Sequence, residues 1–254
     1  MKVTFLGTGT SQGIPVISCN CSVCRSADSR DRRLRTSIMI EDASTCLSVD
    51  AGPDFRQQML REDVRRLDAV LFTHAHKDHL AGLDDVRAFN YFLQKPMDVY
   101  ATREVQEVIR SEFAYAFDPV IDYPGIPKIK LHTISTNAFR IGSIDFLPIQ
   151  VMHYRLPVLG YRFGDFSYIT DANFIAAEEK QKIRGSRFLV LNALRKEKHI
   201  SHFNLDEAIA LAEEIGAEAT YFTHISHQLG KHEEVAAKLP RNMFLAYDGL
   251  KIAW

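Results

Sequence analysis

An α/β fold is predicted by three features of the sequence. Short β-branched and aromatic runs alternate with segments whose apolar residues recur at helical spacing. Glycine, proline and acidic turn residues separate these segments. Ionisable residues, histidine above all, recur where strand-like runs stop, the edge at which α/β proteins assemble sites from several loops.

In chain order, residues 2–6 read as a strand, followed by the loop Gly7-Thr8-Gly9-Thr10-Ser11-Gln12-Gly13. That loop either presents backbone N–H groups to an anion or is a tight turn that needs glycine. It lacks the Gly-Lys-Ser/Thr ending of a nucleotide P-loop. Arg30, Arg32, Arg33 and Arg35 read as a solvated face. Residues 37–40 and 45–49 give a hairpin signal around Glu41-Asp42-Ala43-Ser44. Asp50-Ala51-Gly52-Pro53 closes the second strand, and residues 54–61 have helical composition. Asp68-Ala69-Val70-Leu71-Phe72 is bounded by charge and reads as a buried strand. Residues 83–95 and 102–116 follow a near-helical period, punctuated by Pro96 and Pro119, with a strand over 98–101 between them. Tyr91, Phe92, Phe113, Tyr115 and Phe117 make this region aromatic, which most simply means core, with the wall of a substrate pocket as the alternative for some. From Ile144 the pattern turns to strands, 144–151, 158–163 and 166–170, the last two joined by the turn pair Gly164-Asp165. A helix over 176–183 and a strand over 188–191 follow. Residues 205–215 form an amphipathic helix begun by Asn204 and closed by Gly216, and 219–223 form a strand.

At 254 residues the chain is expected to form one domain over 1–254 with a substantial core. Hydrophobic content of 46% and charged content of 25% are ordinary for a globular protein. Thirty-one Lys and Arg against 32 Asp and Glu leave a formal charge of -1. No extended nucleic-acid surface is therefore evident. The N-terminal apolar segment is too short for a signal peptide, and no run approaches the ~20 apolar residues of a membrane span. A cytoplasmic protein without a membrane partner is expected.

Two clusters carry chemistry. In Thr73-His74-Ala75-His76-Lys77-Asp78-His79 three histidines and one aspartate fall within six residues at a strand end. Alternate side chains of extended backbone share a face, so His74 and His76 reach one metal together. Asp78 and His79 follow the turn and point elsewhere, before a helix beginning near Leu80, an arrangement that suits a second metal. His153, Asp171, His202 and His224 fall at other strand ends or before a helix, and Asp50 either orients a ligand histidine, the favoured reading, or caps a turn. The second cluster, Cys19-Asn20-Cys21-Ser22-Val23-Cys24, is too crowded for a disulfide framework and points to metal in a reducing compartment. Cys46 reads as a small core residue.

The run His74-x-His76-x-Asp78-His79 with the distant His153, Asp171 and His224 resembles the metallo-β-lactamase fold superfamily. That resemblance implies a four-layer αββα sandwich with a two-metal site along one edge of its sheets. Gly7-Thr8-Gly9, Gln12-Gly13-x-Pro15, Cys19-x-Cys21-x-x-Cys24 and Thr223-His224-Ile225-Ser226-His227-Gln228 are in turn similar to the PhnP-type phosphodiesterases, which hydrolyse cyclic phosphodiesters. The likeness implies one structural zinc on Cys19, Cys21, Cys24 and His227, a closed set of the kind tetrahedral zinc favours. It also implies two catalytic divalent ions, manganese, zinc or iron, one on His74, His76 and His153 and the other on Asp78, His79 and His224. Asp171 would bridge them, and Asp78 would be catalytic as well as a ligand.

A water held between two cations ionises near neutral pH, and the hydroxide would attack phosphorus in line with the leaving oxygen. His202 matches a non-ligand histidine of the phosphodiesterase group and is the expected proton donor or phosphate partner, with His199 as the alternative. His132 and His232 read as surface residues. The expected function is thus hydrolysis of a small, cyclic phosphodiester by a metal-dependent enzyme, with a homodimer as the state the family suggests. A tRNA 3'-processing endonuclease shares the ligand set but carries a long arm, for which residues 82–98 leave no room. A non-catalytic nucleic-acid module built on the zinc is the rival from another class, and the complete second cluster weighs against it.

Overall fold

Most strands carry apolar residues on both faces, so each sheet has to be covered twice. The computed structural model describes every residue except Ile121, Asp122 and Pro124. The first half of the chain runs β1 (Lys2–Gly7), β2 (Ser37–Glu41), β3 (Cys46–Val49), α1 (Phe55–Arg61), β4 (Ala69–Leu71), α2 (Lys77–Leu80), α3 (Arg87–Leu93), β5 (Met97–Ala101), α4 (Arg103–Glu112) and β6 (Ile129–Thr133). The second runs β7 (Phe139–Ile141), β8 (Ile144–His153), β9 (Leu156–Phe163), β10 (Phe166–Tyr168), β11 (Phe174–Ile175), α5 (Ala177–Ile183), β12 (Phe188–Asn192), α6 (Leu205–Ile215), β13 (Ala219–Thr223), α7 (His232–Ala236), β14 (Met243–Leu245) and β15 (Lys251–Ala253). Among the described residues one sheet has the order β15-β1-β2-β3-β4-β5-β6, and the other β11-β8-β9-β10-β12-β13-β14 with β7 on β8.

Alternation along the strands builds the layers. Val3, Phe5, Ile38, Ile40 and Val49 meet Phe146, Tyr161, Phe163 and Val190 between the sheets. Leu6, Met39, Val70 and Val99 face the other way, onto Phe55, Met59, Phe89 and Ile109 of the first set of helices. Leu189, Leu191 and Phe222 pack on Ala208, Leu211, Ala212 and Ile215, the apolar stripe of α6. The result is the αββα sandwich expected. α6 begins with a capping box, Asn204 accepting from the Glu207 amide and Glu207 from that of Asn204, and ends at Gly216 in left-handed backbone. No helix among the described residues is long and apolar enough to cross a membrane.

Several local expectations are corrected. The basic run is not simply a solvated face, because Arg33 is buried and donates to the Thr8 hydroxyl (2.7 Å) and to His232 Nδ1 (3.1 Å). His232 is accordingly buried rather than a surface residue. His132 is half-buried, stacked on Tyr100 and bonded to Asp98 (2.6 Å). Tyr91 and Phe92, read as core, are exposed. In the glycine loop the amides of Gly9, Thr10 and Gly13 donate to the carbonyls of Leu34, Ile225 and Thr10. A Cβ at Gly7 would run into the Arg35 carbonyl. The loop is therefore a tight, closely packed turn and not an anion cradle.

Candidate metal centre

The strand ends bring the cluster together. His74 lies three residues past β4, His76 caps α2, His153 ends β8, Asp171 follows β10 and His224 follows β13. Asp78 and His79 do not simply follow a turn, since the helix begins at Lys77 and carries both. Seven described non-glycine residues have left-handed backbone, and three of them, Asp50 (φ 68°), Asp171 (φ 54°) and His224 (φ 55°), belong to this cluster. Such backbone costs about 1–3 kcal/mol per residue and concentrates where a side chain must leave its strand's alternation.

Asp171 is the centre of the arrangement, 2% exposed. Its Oδ2 lies 3.1 Å from His79 Nε2 and 3.3 Å from His224 Nδ1, and its Oδ1 lies 3.9 Å from His202 Nδ1. Asp78 Oδ2 is 3.3 Å from the same His79 nitrogen. Yet His79 Nε2, His74 Nε2 and His202 Nδ1 are buried and make no hydrogen bond. Nitrogens and carboxylate oxygens that converge without bonding one another are arranged as ligands of a shared ion are, and the imidazole and carboxylate set suits zinc, manganese or iron. The donor atoms of Asp78, His79, Asp171 and His224 lie within 4.8 Å of one another, as do those of His153, Asp171 and His202. His74 and His76 belong to neither of these groups; their rings pack beside them, with centroids 4.6 Å apart and 5.9 and 5.1 Å from His153.

Hydrogen bonds to the far side of the rings fix which nitrogen faces the cluster. Asp50 accepts from His79 Nδ1 at 2.7 Å, so Nε2 is the nitrogen turned to the cluster. Thr73 gives its hydroxyl proton to Asp50 (2.9 Å) and accepts from His74 Nδ1 (2.9 Å), which leaves His74 Nε2 free too. His153 Nδ1 donates to the Ser201 carbonyl at 2.8 Å. Asp50 thus orients a histidine of the cluster, as expected, and a second through Thr73. Close backbone approach makes this reach feasible: a Cβ at Gly52 would clash with the Asp78 carbonyl, and one at Gly82 with that of Gly52. Without a metal ion, burial opposes a charge on His79, but Asp171 and Asp50 outweigh it and hold the ring well above its ordinary pKa, so an ion bound there would have to displace the Nε2 proton. Burial, with His79 alongside, pushes His74 well below its own.

His202 stands beside Asp171, and its ring is 4.5 Å from His153 and 4.8 Å from His224. His199 lies one ring further out, 5.2 Å from His202, and accepts from the Ser201 amide. At the second cluster, Cys19, Cys21 and Cys24 surround His227 Nδ1 with Sγ distances of 3.3, 3.4 and 3.6 Å. The Cys24 amide and His227 pull the Cys21 thiol down to about 6, while burial pushes Cys24 up to about 11. Cys46 sits in the core. Sequence reasoning missed Thr73, Thr10 (3.2 Å from His224 Nε2) and Ser201. Thr73 had a signal, a hydroxyl beside the histidine run; Ser201 acts through its backbone and had none.

The chain matches the family model described as Beta-lactamase superfamily domain over residues 45–225. It is 39% identical to the protein of "Crystal Structure of a New Diphosphatase from the PhnP Family", with a TM-score of 0.93 covering 100% of this chain and 97% of that one. Zn(2+)-bound PqqB from Methylobacterium extorquens shares 21% identity at a TM-score of 0.81, with all of both chains covered. An octanoyltransferase of Porphyromonas gingivalis is 40% identical over 256 residues, 99% of this chain and 51% of that protein. The chain spans about half the length of the curated relatives it matches.

Proposed function

The chain belongs to the family of β-lactamase superfamily domains and has the metallo-β-lactamase fold, and on that premise we propose that it is a metal-dependent hydrolase of small phosphodiesters, cyclic ones included. One observation carries the proposal: a buried carboxylate, Asp171, faced on both oxygens by imidazole nitrogens from separate strand ends and loops. Adjacent cations need an anion between them, and Asp171 would supply it. His74, His76 and His153 would hold one ion and Asp78, His79 and His224 the other, while Cys19, Cys21, Cys24 and His227 would hold a structural zinc. When bound, the ion pair would supply a water ionised near neutral pH and balance the charge of the phosphoryl oxygens.

The remaining work falls to side chains. Asp50 and Thr73 hold His79 and His74 in the tautomers that present Nε2. Burial, with His224 nearby, pushes His202 down to about 2, so its ring is neutral at neutral pH. Of its two expected roles, that favours the phosphate partner: a neutral ring donates an N–H hydrogen bond to a phosphoryl or leaving oxygen and keeps its proton. Asp78, with its carboxylate beside His79, orients the same pole of the cluster.

Two consequences are measurable. Asp50→Asn would turn an NH2 donor towards either His79 Nδ1–H or the Thr73 amide and loosen the hold on the ligand rings, so metal affinity is expected to fall about 10–100-fold in a chelator competition. At the thiol cluster Cys24 arrives protonated and Cys21 as thiolate, so zinc must displace at least the Cys24 proton. Affinity there is expected to drop at least about tenfold for each pH unit lost near neutrality, and more steeply below about 6, where Cys21 also takes a proton. A pH series of zinc retention against a fixed chelator reads both slopes.

The function itself is tested by stripping the protein, reloading it with zinc or manganese, and following a chromogenic diester. Hydrolysis that returns with a labile ion pair supports the proposal, and a fully reloaded protein inert towards diesters sinks it. An octanoyl thioester belongs in the same assay, because a relative of about twice this length is named octanoyltransferase.

A further inference from the structure

A cleft of about 520 Å³ opens beside the metal centre, lined by His76 and His153 together with Tyr154, Arg155, Leu156 and Ile200. That volume lies within the ~300–1,000 Å³ typical of small-molecule sites and exceeds what a bare phosphate needs. Its outer wall is unusual. β8 and β9 pair down to His153 opposite Leu156, so Tyr154 and Arg155 are the whole of a two-residue turn. Such turns favour glycine or asparagine where φ is positive, yet Tyr154 sits at φ 58°. The turn thereby keeps an aromatic ring 48% exposed next to a metal-type histidine. Ile200, 65% exposed, comes from a different loop.

One residue ties these walls together. Asn173, two positions after Asp171, accepts the Tyr154 amide at 2.7 Å and donates its Nδ2 to the Ile200 carbonyl at 3.1 Å, while its own amide donates to Met152 (2.9 Å). The Arg155 guanidinium lies 5.1 Å from the Tyr154 ring centroid and braces the ring. A strained backbone, a braced exposed aromatic and a shared anchor beside the cluster are more than a loop needs for folding.

We propose that Tyr154, Arg155, Leu156 and Ile200 form a subsite for the flat ring of a nucleotide-like substrate whose phosphate lies at the metal centre, with Asn173 as the positioning residue. The phosphate half of this assignment rests on the hydrolase proposal above; the ring half rests on the cleft. Stacking of a base on an exposed aromatic is sequence-tolerant, so the subsite selects for a nucleoside rather than for one base.

Calorimetric titration of the zinc-loaded protein with AMP and with ribose 5-phosphate separates the two halves. AMP is expected to bind at least about tenfold more tightly, the gain that one stacked base gives. The ratio should fall to near one in Tyr154→Ala, persist in Tyr154→Phe, and shrink in Asn173→Ala. Equal affinities in the wild type, or a preference untouched in Tyr154→Ala, overturn the subsite. A preserved AMP preference in a protein that cleaves no diester overturns only the hydrolytic assignment and leaves the subsite standing.

Discussion

Asp171→Asn is expected to lower diester hydrolysis by about three orders of magnitude or more, the largest effect of any single substitution considered. The exchange keeps shape and removes charge. Two divalent ions in one cluster repel with four times the unit-charge energy at equal distance, and only an anion between them offsets it. Elemental analysis should therefore show at least one labile ion lost. The metal-free protein changes as well. The Asp171 carboxyl is held well below its ordinary pKa, with burial opposing and His224 and His79 favouring the charged form. A depressed acid contributes stability above its unfolded pKa and loses it as pH falls through the folded one. Metal-free Asp171→Asn should thus melt earlier than the wild type at neutral pH, with the gap narrowing in acid. Thermal melts at a few pH values read this, and a gap that widens in acid would contradict the charge argument.

His202→Ala is expected to cut turnover by about 10²–10³-fold while metal content holds. The two readouts must separate, because His202 stands among residues that could themselves hold an ion. Burial, with His224 beside it, holds its ring well below the ordinary imidazole pKa. Loss of His202 should accordingly lower the pH–rate profile without removing a limb from it. His199→Ala, one ring further from Asp171, should cost far less. A variant at His202 that loses metal together with activity would make it a ligand instead of a hydrogen-bond donor.

That His74 to His79 would meet His153, Asp171 and His224 was legible because most of them fall where a strand-like run stops, and strand ends can be read from local pattern. The four layers came from the resemblance carried by these residues, and the strands fit them because runs such as those around Phe5, Val70 and Leu189 are apolar on both faces. What stayed hidden depends on contacts far apart in sequence. β6 carries only half-buried and exposed residues, so its pattern is weak, and β15 exists by pairing with β1 at the opposite end of the chain. The burial of Arg33 and His232 follows from their pairing across 199 positions, and charge content alone points the other way. α2 begins at Lys77, before the apolar positions that suggested a helix from Leu80, so Asp78 and His79 share a helix that local composition did not reveal. Asn173, a plain polar residue in a turn, shows its role only once Tyr154 and Ile200 are seen on either side.

The central claim, a metal centre that hydrolyses phosphodiesters, is tested most directly by steady-state hydrolysis of a chromogenic diester beside its monoester. Wild-type protein reloaded with zinc or manganese is compared with Asp171→Asn and with the stripped protein. Diester turnover that depends on reloading, exceeds that of the monoester and collapses in Asp171→Asn is the predicted result. Turnover that survives stripping, or a fully loaded wild type that leaves the diester intact, would contradict it.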